Sequence, residues 1–310
     1  MGTCLQPPNR ASPVHRILVA LTRRATGLNT KPREFSTLGL FAPYDGNLIG
    51  GLLLGTGMAL SGSCPGTVFS QIGASIDSGL YTLAGCVLGG VVWSGVLQPI
   101  VRSRTRRAKE KAAAEAQTQS QPAKLAIYEL AGISRQAASA GVTAMFAAAV
   151  GAIEFLAPSL DQAGQLVTPI QGGILVASSQ LVSIFSRTKL LGTSTCFEEV
   201  GAYISSTLGL ETAKPTSYGA TILTTGMVLG SFLVSSFVAE SSPAPVAGGA
   251  IIQPARAVLG GVLLAVGSRM GGGCTSGHGL SGMALLSISS FVTVAAMFGG
   301  GMAVAALLGL

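Results

Sequence analysis

Long apolar runs alternate with short polar segments along most of the chain. The clearest apolar runs cover residues 47–64, 78–101, 137–157, 170–185, 218–238, 250–270 and 287–310. A helix needs about 20 mostly apolar residues to cross the roughly 30 Å hydrocarbon core of a bilayer. Because most of these runs approach that length, the pattern predicts an all-α, polytopic membrane protein.

Shorter apolar pieces follow three of the cysteines, Cys64, Cys196 and Cys274. Apolar pieces of about 10 to 14 residues are more typical of re-entrant segments than of helices that span a bilayer. Irregular backbone at membrane depth is tolerated only where it is buried in protein or lines a cavity. The pieces after these cysteines therefore predict re-entrant helices beside an internal path.

The charge composition supports a membrane protein and argues against a nucleic acid partner. Only 10% of the 310 residues are charged, whereas soluble globular proteins carry about 25%. The formal net charge is +7, but the basic residues cluster in two segments outside the apolar runs. Aromatic residues make up 5% of the chain, which leaves few rings to stack on bases. We interpret the excess positive charge as a topology signal.

These two basic segments organise the chain. Residues 1–45 form a basic N-terminal extension, which fits either an organelle transit peptide or a cytoplasmic tail. Residues 46–310 are predicted to form one transmembrane domain with a basic loop at 102–125. Since positive loops stay on the inner side of a membrane, we expect this loop in the cytoplasm or the mitochondrial matrix. The membrane is then the plasma membrane or the mitochondrial inner membrane.

An internal repeat contains two of the cysteines. Residues 50–64 (GGLLLGTGMALSGSC) align without gaps to residues 260–274 (GGVLLAVGSRMGGGC), and the two cysteines coincide. Each copy reads as an apolar helix, a glycine-rich break, a cysteine and a short second helix. Repeated, interrupted helices that meet near the bilayer midplane are typical of translocation sites. We expect two pseudo-symmetric repeats, and the pattern leaves open whether one is inverted.

Both repeat cysteines are predicted to lie at helix N-termini. Pro65 follows Cys64, and proline is favoured at the first position of a helix because its missing N–H is not needed there. Cys274 follows the glycines at 271–273, which do not continue a helix comfortably. The helix after each cysteine is therefore expected to begin at or just beyond it.

Cys196 is predicted to occupy the same kind of position. Thr195 precedes it and Glu198 follows it, which together give the T-x-x-E pattern of a capping box. A capping box places the first turn of a helix at its threonine. An ordinary surface turn at these acidic residues is the alternative.

Helix N-termini attract anions, because their N–H groups are unpaired and the helix dipole is positive there. A thiol adds a soft, weak hydrogen-bond donor that suits a sulfur acceptor. The combination predicts a path for a small sulfur-containing anion. We expect the path to be lined by the three cysteines and their neighbours, namely Cys64, Cys196, Cys274, His278, Pro65, Gly62, Gly273, Thr275 and Ser276.

Several alternatives remain for these residues. Cys64 and Cys274 are also small enough to pack between close helices. His278, four residues after Cys274, fits a path histidine, a structural histidine or, with two distant ligands, a zinc ligand. Arg269 is either an anion contact or a helix-end residue that reaches the membrane surface. We expect no metal and no cofactor.

A different class of function is an enzyme. Cys274 with His278 fits the nucleophile–base pair of a membrane thiol sulfurtransferase or redox protein. No other residues in the sequence complete a catalytic set around this pair. A transporter is therefore the preferred prediction.

Two segments resemble a known family. Residues 62–66 (GSCPG) and residues 271–282 (GGGCTSGHGLSG) are similar to the two signature segments of the YeeE/YedE sulfur-transport family. The resemblance extends from about residue 47 to the C-terminus. It implies an hourglass-like integral membrane protein in which repeated helices and re-entrant segments carry thiosulfate or a related anion inward.

The resemblance also implies how the anion is carried and what the protein binds. Cysteines on the central path would pass the anion along by transient S–H···S hydrogen bonds, and this role applies to Cys64 and Cys274 and, more weakly, to Cys196. Selenium compounds are associated with some relatives, so the solute stays open. The expected partners are a small inorganic sulfur anion and the lipid bilayer, with a sulfur-acceptor protein as a further candidate.

Overall fold

The structure is a computed structural model that describes residues 31–116, 124–156, 169–187, 189–209, 215, 217–237 and 252–309. Within these residues the regular elements are helices, without a strand. The α-helices are α1 Asp45–Ser61, α2 Thr67–Gly73, α3 Asp77–Val92, α4 Gln98–Ala116, α5 Ile127–Ala131, α6 Arg135–Leu156, α7 Pro169–Arg187, α8 Thr195–Thr207, α9 Gly219–Phe237, α10 Pro254–Met270 and α11 Ile288–Leu308. The predicted all-α class is confirmed.

Two π-helical segments complete the architecture. Trp93–Leu97 joins α3 to α4 in one continuous rod, and Thr275–Gly282 lies between α10 and α11. Each of the seven apolar runs in the sequence overlaps a helix. The secondary structure therefore follows the hydrophobic pattern closely.

Three helices in the described part of the chain are long and apolar enough to cross a membrane. They are the rod from residue 77 to residue 107, α9 and α11. A fourth span results if α10 and the π-helical segment Thr275–Gly282, which are bent by 43° at the break between them, cross together. At 17 residues, α1 is slightly shorter than these spans.

The basic segment predicted as a loop at 102–125 is helical over its first part. α4 continues the rod to Ala116, because arginine, lysine, alanine and glutamate are all good helix formers. Arg106 and Glu110 add an ion pair of 2.8 Å across one helical turn. The prediction of a loop was wrong for residues 102–116, and residues 117–123 lie outside the described residues.

The centre of the fold is a row of four helices in the order α11, α1, α10 and α3. A Cβ atom on Gly57 would lie 2.7 Å from the carbonyl oxygen of Gly260, and one on Gly267 would lie 2.8 Å from that of Gly50. Such short distances mean that α1 and α10 touch backbone to backbone, as glycine at these positions permits. The order of the contacts shows that α1 and α10 run antiparallel.

The outer pairs of this row run parallel. A Cβ atom on Gly51 of α1 would lie 2.7 Å from the carbonyl oxygen of Thr293 in α11. One on Gly89 of α3 would lie 2.7 Å from the carbonyl oxygen of Val262 in α10. Cys86 of α3 is fully buried in this interface, as a small apolar residue would be.

The remaining helices surround this row. α8 packs on α3 and on the π-helical turn that follows it. In this contact the hydroxyl groups of Ser94 and Ser205 form a hydrogen bond of 3.0 Å. α9 packs on α2, and the Ser231 hydroxyl donates to the Ser70 carbonyl oxygen at 2.7 Å. α6 and α7 leave large apolar side chains exposed, including Phe155 at 86% and Phe185 at 72%. Lipid suits such surfaces better than water does.

Residues 31–44 pack against the helices, although the sequence places them in an N-terminal extension. The Ser36 hydroxyl donates to the Met270 carbonyl oxygen at the end of α10 at 2.6 Å. The Asp45 carboxylate accepts the N–H groups of Leu38 and Leu40 at 2.5 and 2.6 Å. This part of the extension is therefore attached to the helical core, and residues 1–30 lie outside the described residues.

Candidate functional site

Cys64 lies three residues before α2, in the turn that leads into it. α1 ends at Ser61 and is capped by Gly62, whose φ of +61° is in the left-handed region that favours glycine. The Thr67 N–H donates to the Cys64 sulfur at 3.4 Å, and the Cys64 N–H donates to the Thr67 hydroxyl at 2.7 Å. This reciprocal pair fixes the turn between α1 and α2, whereas the N-cap residue of α2, Gly66, provides no side-chain cap. α2 begins at Thr67, so Pro65 lies in the turn before the helix and not at the first helical position that the sequence predicts for it.

Cys274 occupies the corresponding place after α10. The glycine-rich break includes Gly272, with φ of +82°, and Cys274 directly precedes the π-helical segment Thr275–Gly282. Its sulfur lies 3.3 Å from the Ser276 hydroxyl and 3.6 Å from the Thr193 hydroxyl. The side chain is almost fully buried. The sulfur is thus surrounded by hydroxyl groups.

Thr193 is a residue that the sequence analysis missed. It lies in the segment before α8, and its hydroxyl is 3.5 Å from that of Ser276 as well as 3.6 Å from the Cys274 sulfur. A Cβ atom on Gly66 would lie 3.7 Å from the Thr193 hydroxyl and 3.8 Å from the Cys64 sulfur. The Thr193 hydroxyl therefore contacts the Cys274 sulfur and lies near the turn that follows Cys64. We call Cys64, Thr193, Cys274 and Ser276 the thiol–hydroxyl cluster.

Cys196 has a different environment. It is the second residue of α8 and is buried, and its sulfur accepts a hydrogen bond from the Thr224 hydroxyl of α9 at 3.3 Å. The predicted capping box is wrong, because the helix begins at Thr195 without a side-chain cap and Glu198 is used elsewhere. The thiol of Cys196 contacts Thr224 of α9, whereas the thiol of Cys274 contacts the hydroxyl groups of Thr193 and Ser276.

A partly buried ion pair explains why Glu198 does not cap α8. Arg269 donates to the Glu198 carboxylate at 2.7 Å and to the Ser194 hydroxyl at 2.7 Å. The Gln98 amide donates to the same carboxylate at 2.8 Å. The network ties the end of α10 to the start of α8, next to Thr193. Arg269 is therefore an interhelical ion-pair partner, which neither of the two sequence-based alternatives anticipates.

His278 is buried and holds the break in place. Its Nε2 is 3.0 Å from the Gly271 carbonyl oxygen, and its Nδ1 is 3.0 Å from the Ser290 hydroxyl. A carbonyl oxygen only accepts, so Nε2 carries the proton and a neutral ring accepts at Nδ1 from Ser290. Both nitrogens are thus engaged away from the Cys274 thiol, and this geometry does not support a nucleophile–base pair.

The other predicted path residues flank the cluster. The Thr275 hydroxyl lies 3.4 Å from the Met297 sulfur and 3.7 Å from the Met58 sulfur, so it faces α11 and α1. A Cβ atom on Gly273 would lie 2.9 Å from the His278 ring, which requires glycine there. In the described part of the chain, no group of three or more His, Cys, Asp or Glu side chains is arranged to hold a metal ion.

Comparisons with known proteins agree with this architecture. A family model described as "Sulphur transport" matches residues 11–303. Two curated relatives, from two strains of Xylella fastidiosa, are each described as "Probable transporter". Each is 32% identical over 143 residues, which cover 46% of this chain and 93% of the relative. The match over nearly the whole chain, together with its apolar helices, shows that the protein belongs to the YeeE/YedE sulphur-transport family of integral membrane transporters.

Proposed function

We propose that this transporter carries thiosulfate or a closely related sulfur-containing anion along a path through the thiol–hydroxyl cluster. The observation that supports the proposal most directly is that Thr193 contacts Cys274 and lies beside the turn that follows Cys64. The Cys274 sulfur lies 3.6 Å from the Thr193 hydroxyl, and a Cβ atom on Gly66, two residues after Cys64, would lie 3.7 Å from the same hydroxyl. Two segments more than 200 residues apart thus supply thiols to one place.

The chemistry of the cluster matches both ends of such an anion. A thiol donates a weak, soft hydrogen bond that suits a terminal sulfur atom, whereas hydroxyl groups suit sulfonate oxygens. The hydroxyls of Thr193 and Ser276 are 3.5 Å apart, which is well beyond the roughly 2.7–2.8 Å of a strong O–H···O bond. Exchanging this long contact for a contact with the anion therefore costs little free energy.

We also propose that the two copies of the sequence repeat form inverted structural repeats, α1–α3 and α10–α11 with the π-helical segment Thr275–Gly282. Reciprocal contacts support this arrangement, because Gly57 meets Gly260 as Gly267 meets Gly50. α11 packs along α1 as α3 packs along α10. Antiparallel α1 and α10 fit a two-fold axis in the membrane plane, and in the proposed hourglass-like shape the segment after each break returns toward the midplane, as the contact of Thr275 with Met58 supports for the second break.

Cys196 is the third thiol of the proposed path. Its place in the first turn of α8 puts it at the positive end of that helix. The Thr224 hydroxyl now holds its sulfur, so the anion would compete with one neutral hydrogen bond for it. The segment with Thr193 links this thiol to the thiol–hydroxyl cluster, since the Cys196 N–H donates to the Thr193 carbonyl oxygen at 3.1 Å.

Uptake by liposomes tests the proposed function. We expect the purified, reconstituted protein to accumulate labelled thiosulfate intact and to discriminate against sulfate. Cys64→Ala and Cys274→Ala are each expected to fall below about a tenth of the wild-type rate, since each removes one hydrogen bond to the moving anion. Cys86→Ala is the matched control, because Cys86 is buried between α3 and α10, outside the thiol–hydroxyl cluster.

Three results would contradict the proposal. Wild-type rates in both Cys64→Ala and Cys274→Ala would remove the thiols from the mechanism. Release of sulfite in place of intact uptake would favour the sulfurtransferase. Equal losses in Cys86→Ala and Cys274→Ala would indicate that the thiols act only in packing.

A further inference from the structure

We propose that Arg33 is an anion-binding residue of the transporter, although it lies in the N-terminal segment outside both repeats. The inference rests on the proposed function and adds to it the cationic group that draws the anion to the break before Cys274. The sequence offers no signal for this role, because Arg33 is one of several basic residues in the extension. The structure gives Arg33 a defined place beside the second break.

The main chain of Arg33 is fixed on the region between the π-helical segment Thr275–Gly282 and α11. Its N–H donates to the Ser287 hydroxyl at 2.7 Å, and its carbonyl oxygen accepts from the Ser289 hydroxyl at 3.2 Å. Both serines are buried. Arg33 is therefore held at a defined position over the second broken helix.

The side chain of Arg33 lies along a row of glycines on that broken helix. A Cβ atom on Gly282 would be 3.3 Å from its Cδ, one on Gly277 3.5 Å from Nη2, and one on Gly273 2.7 Å from Nη1. Any larger residue at 273 would displace the guanidinium. The glycines thus form a groove that brings the positive charge to the residue next to Cys274.

The positive charge of Arg33 lies close to the negative end of a helix dipole. α10 ends at Met270, so the negative end of its dipole points at the break through which the anion would pass. Arg33 donates to the Gly272 carbonyl oxygen at 3.1 Å and so offsets that negative end. Without a cation here, the break would repel an anion.

The second arginine near the break is already neutralised. Arg269 donates to the carboxylate of Glu198, whereas the guanidinium of Arg33 donates to a neutral carbonyl oxygen. A guanidinium has five N–H donors in a planar fork that matches the oxygens of an oxyanion. Arg33 therefore combines a positive charge held on a neutral carbonyl oxygen at the break with donors suited to sulfonate oxygens.

Kinetics of liposome uptake test this role. Arg33→Gln is expected to raise the KM for thiosulfate about tenfold or more, the usual effect of losing a hydrogen bond to a charged group, with the maximal rate changed much less. Arg33→Lys keeps the charge and is expected to recover most of the affinity. Arg106→Gln is the matched control, since Arg106 is an exposed arginine on α4, and its KM should equal that of the wild type.

A second measurement is needed for variants whose uptake rate is too low to give a KM. The half-buried Cys64 thiol is labelled with a maleimide in detergent, and thiosulfate is added to protect it. Arg33→Gln is expected to need about tenfold more thiosulfate for the same protection. A purely structural role of Arg33 would change labelling without thiosulfate but leave the protecting concentration unaltered.

The outcomes separate this inference from the proposed function. If the wild type takes up thiosulfate and Arg33→Gln keeps its KM and its protecting concentration, the inference is overturned while the transport proposal stands. If the wild type takes up no thiosulfate, both are overturned. A raised KM that Arg33→Lys reverses supports the anion-binding role.

Discussion

At the scale of single residues, the hydroxyl of one threonine contacts both a thiol and a second hydroxyl of the thiol–hydroxyl cluster. Thr193 lies 3.6 Å from the Cys274 sulfur and 3.5 Å from the Ser276 hydroxyl. Its neighbour Ser194 accepts a hydrogen bond from Arg269, which is also paired with Glu198. This network holds the backbone next to Thr193 and so helps to position the Thr193 hydroxyl. The cluster is thus positioned by α8 and α10 together.

Removal of that hydroxyl tests its contact with the anion. Thr193→Val keeps the shape of the side chain, and we expect its KM for thiosulfate to rise about five- to tenfold through the loss of one neutral hydrogen bond. Thr193→Ser should stay close to the wild type. Thr225→Val removes an exposed hydroxyl of α9 and serves as the control. An unchanged KM in Thr193→Val would show that the hydroxyl does not contact the anion.

At the scale of helices, the close approach of α1 and α10 is set by glycines and not by large apolar side chains. The glycines at 50, 57, 260 and 267 let backbone atoms of the two helices touch. Lipid tails are as apolar as leucine side chains, so association of helices in a bilayer depends on such close packing. The same contacts fix the register of the antiparallel pair, in which Gly271 after α10 lies against Gly50 near the start of α1.

Alanine substitutions measure this packing. We expect Gly57→Ala and Gly267→Ala to destabilise the protein by about 1–3 kcal/mol each, because the new Cβ atom meets backbone of the facing helix. Gly226→Ala in α9 has open space and should not lower the melting temperature. Thermal unfolding in detergent provides the comparison. Equal stability of all three variants would contradict the close packing of α1 and α10.

At the scale of the whole molecule, the N-terminal segment joins the transporter core. Arg33 and Ser36 bond to residues at the ends of α10 and α11, and the Thr105 hydroxyl of α4 donates to the Thr37 carbonyl oxygen at 2.7 Å. A cleaved leader would therefore have to end before these residues. The extension predicted for residues 1–45 then has two parts with different roles.

Truncation distinguishes the two parts. A chain that starts at residue 31 is expected to keep thiosulfate uptake, whereas a chain that starts at residue 45 should lose most of it and melt at a lower temperature. The second truncation removes Arg33 and the buried hydrogen bonds from Leu38 and Leu40 to Asp45, and an unpaired buried carboxylate is costly. N-terminal sequencing of the mature protein checks where any cleavage occurs. Full uptake by the shorter chain would contradict both roles.

Local patterns in the sequence were sufficient to predict the helices and the two breaks. Each apolar run forms a helix, and Cys64 and Cys274 follow Gly62 and Gly272, which have positive φ. These features depend on residues close in the chain, since hydrophobic runs form helices in a bilayer and glycine permits the left-handed turn that ends them. The continuation of α4 to Ala116 also depends on local sequence, because its residues are good helix formers. Their charges were interpreted only as the signal of a loop.

The tertiary structure decided which side chains meet at the site. Thr193 and Arg33 gain their roles because α8 and the N-terminal segment pack against the second break. Glu198 leaves its expected cap for Arg269, and His278 turns to Gly271 and Ser290. No local pattern contains these pairings, because hydrogen bonds and ion pairs between distant segments depend on how the helices pack. The sequence by itself therefore determined the elements and the thiols, and the packing determined the charges and hydroxyls around them.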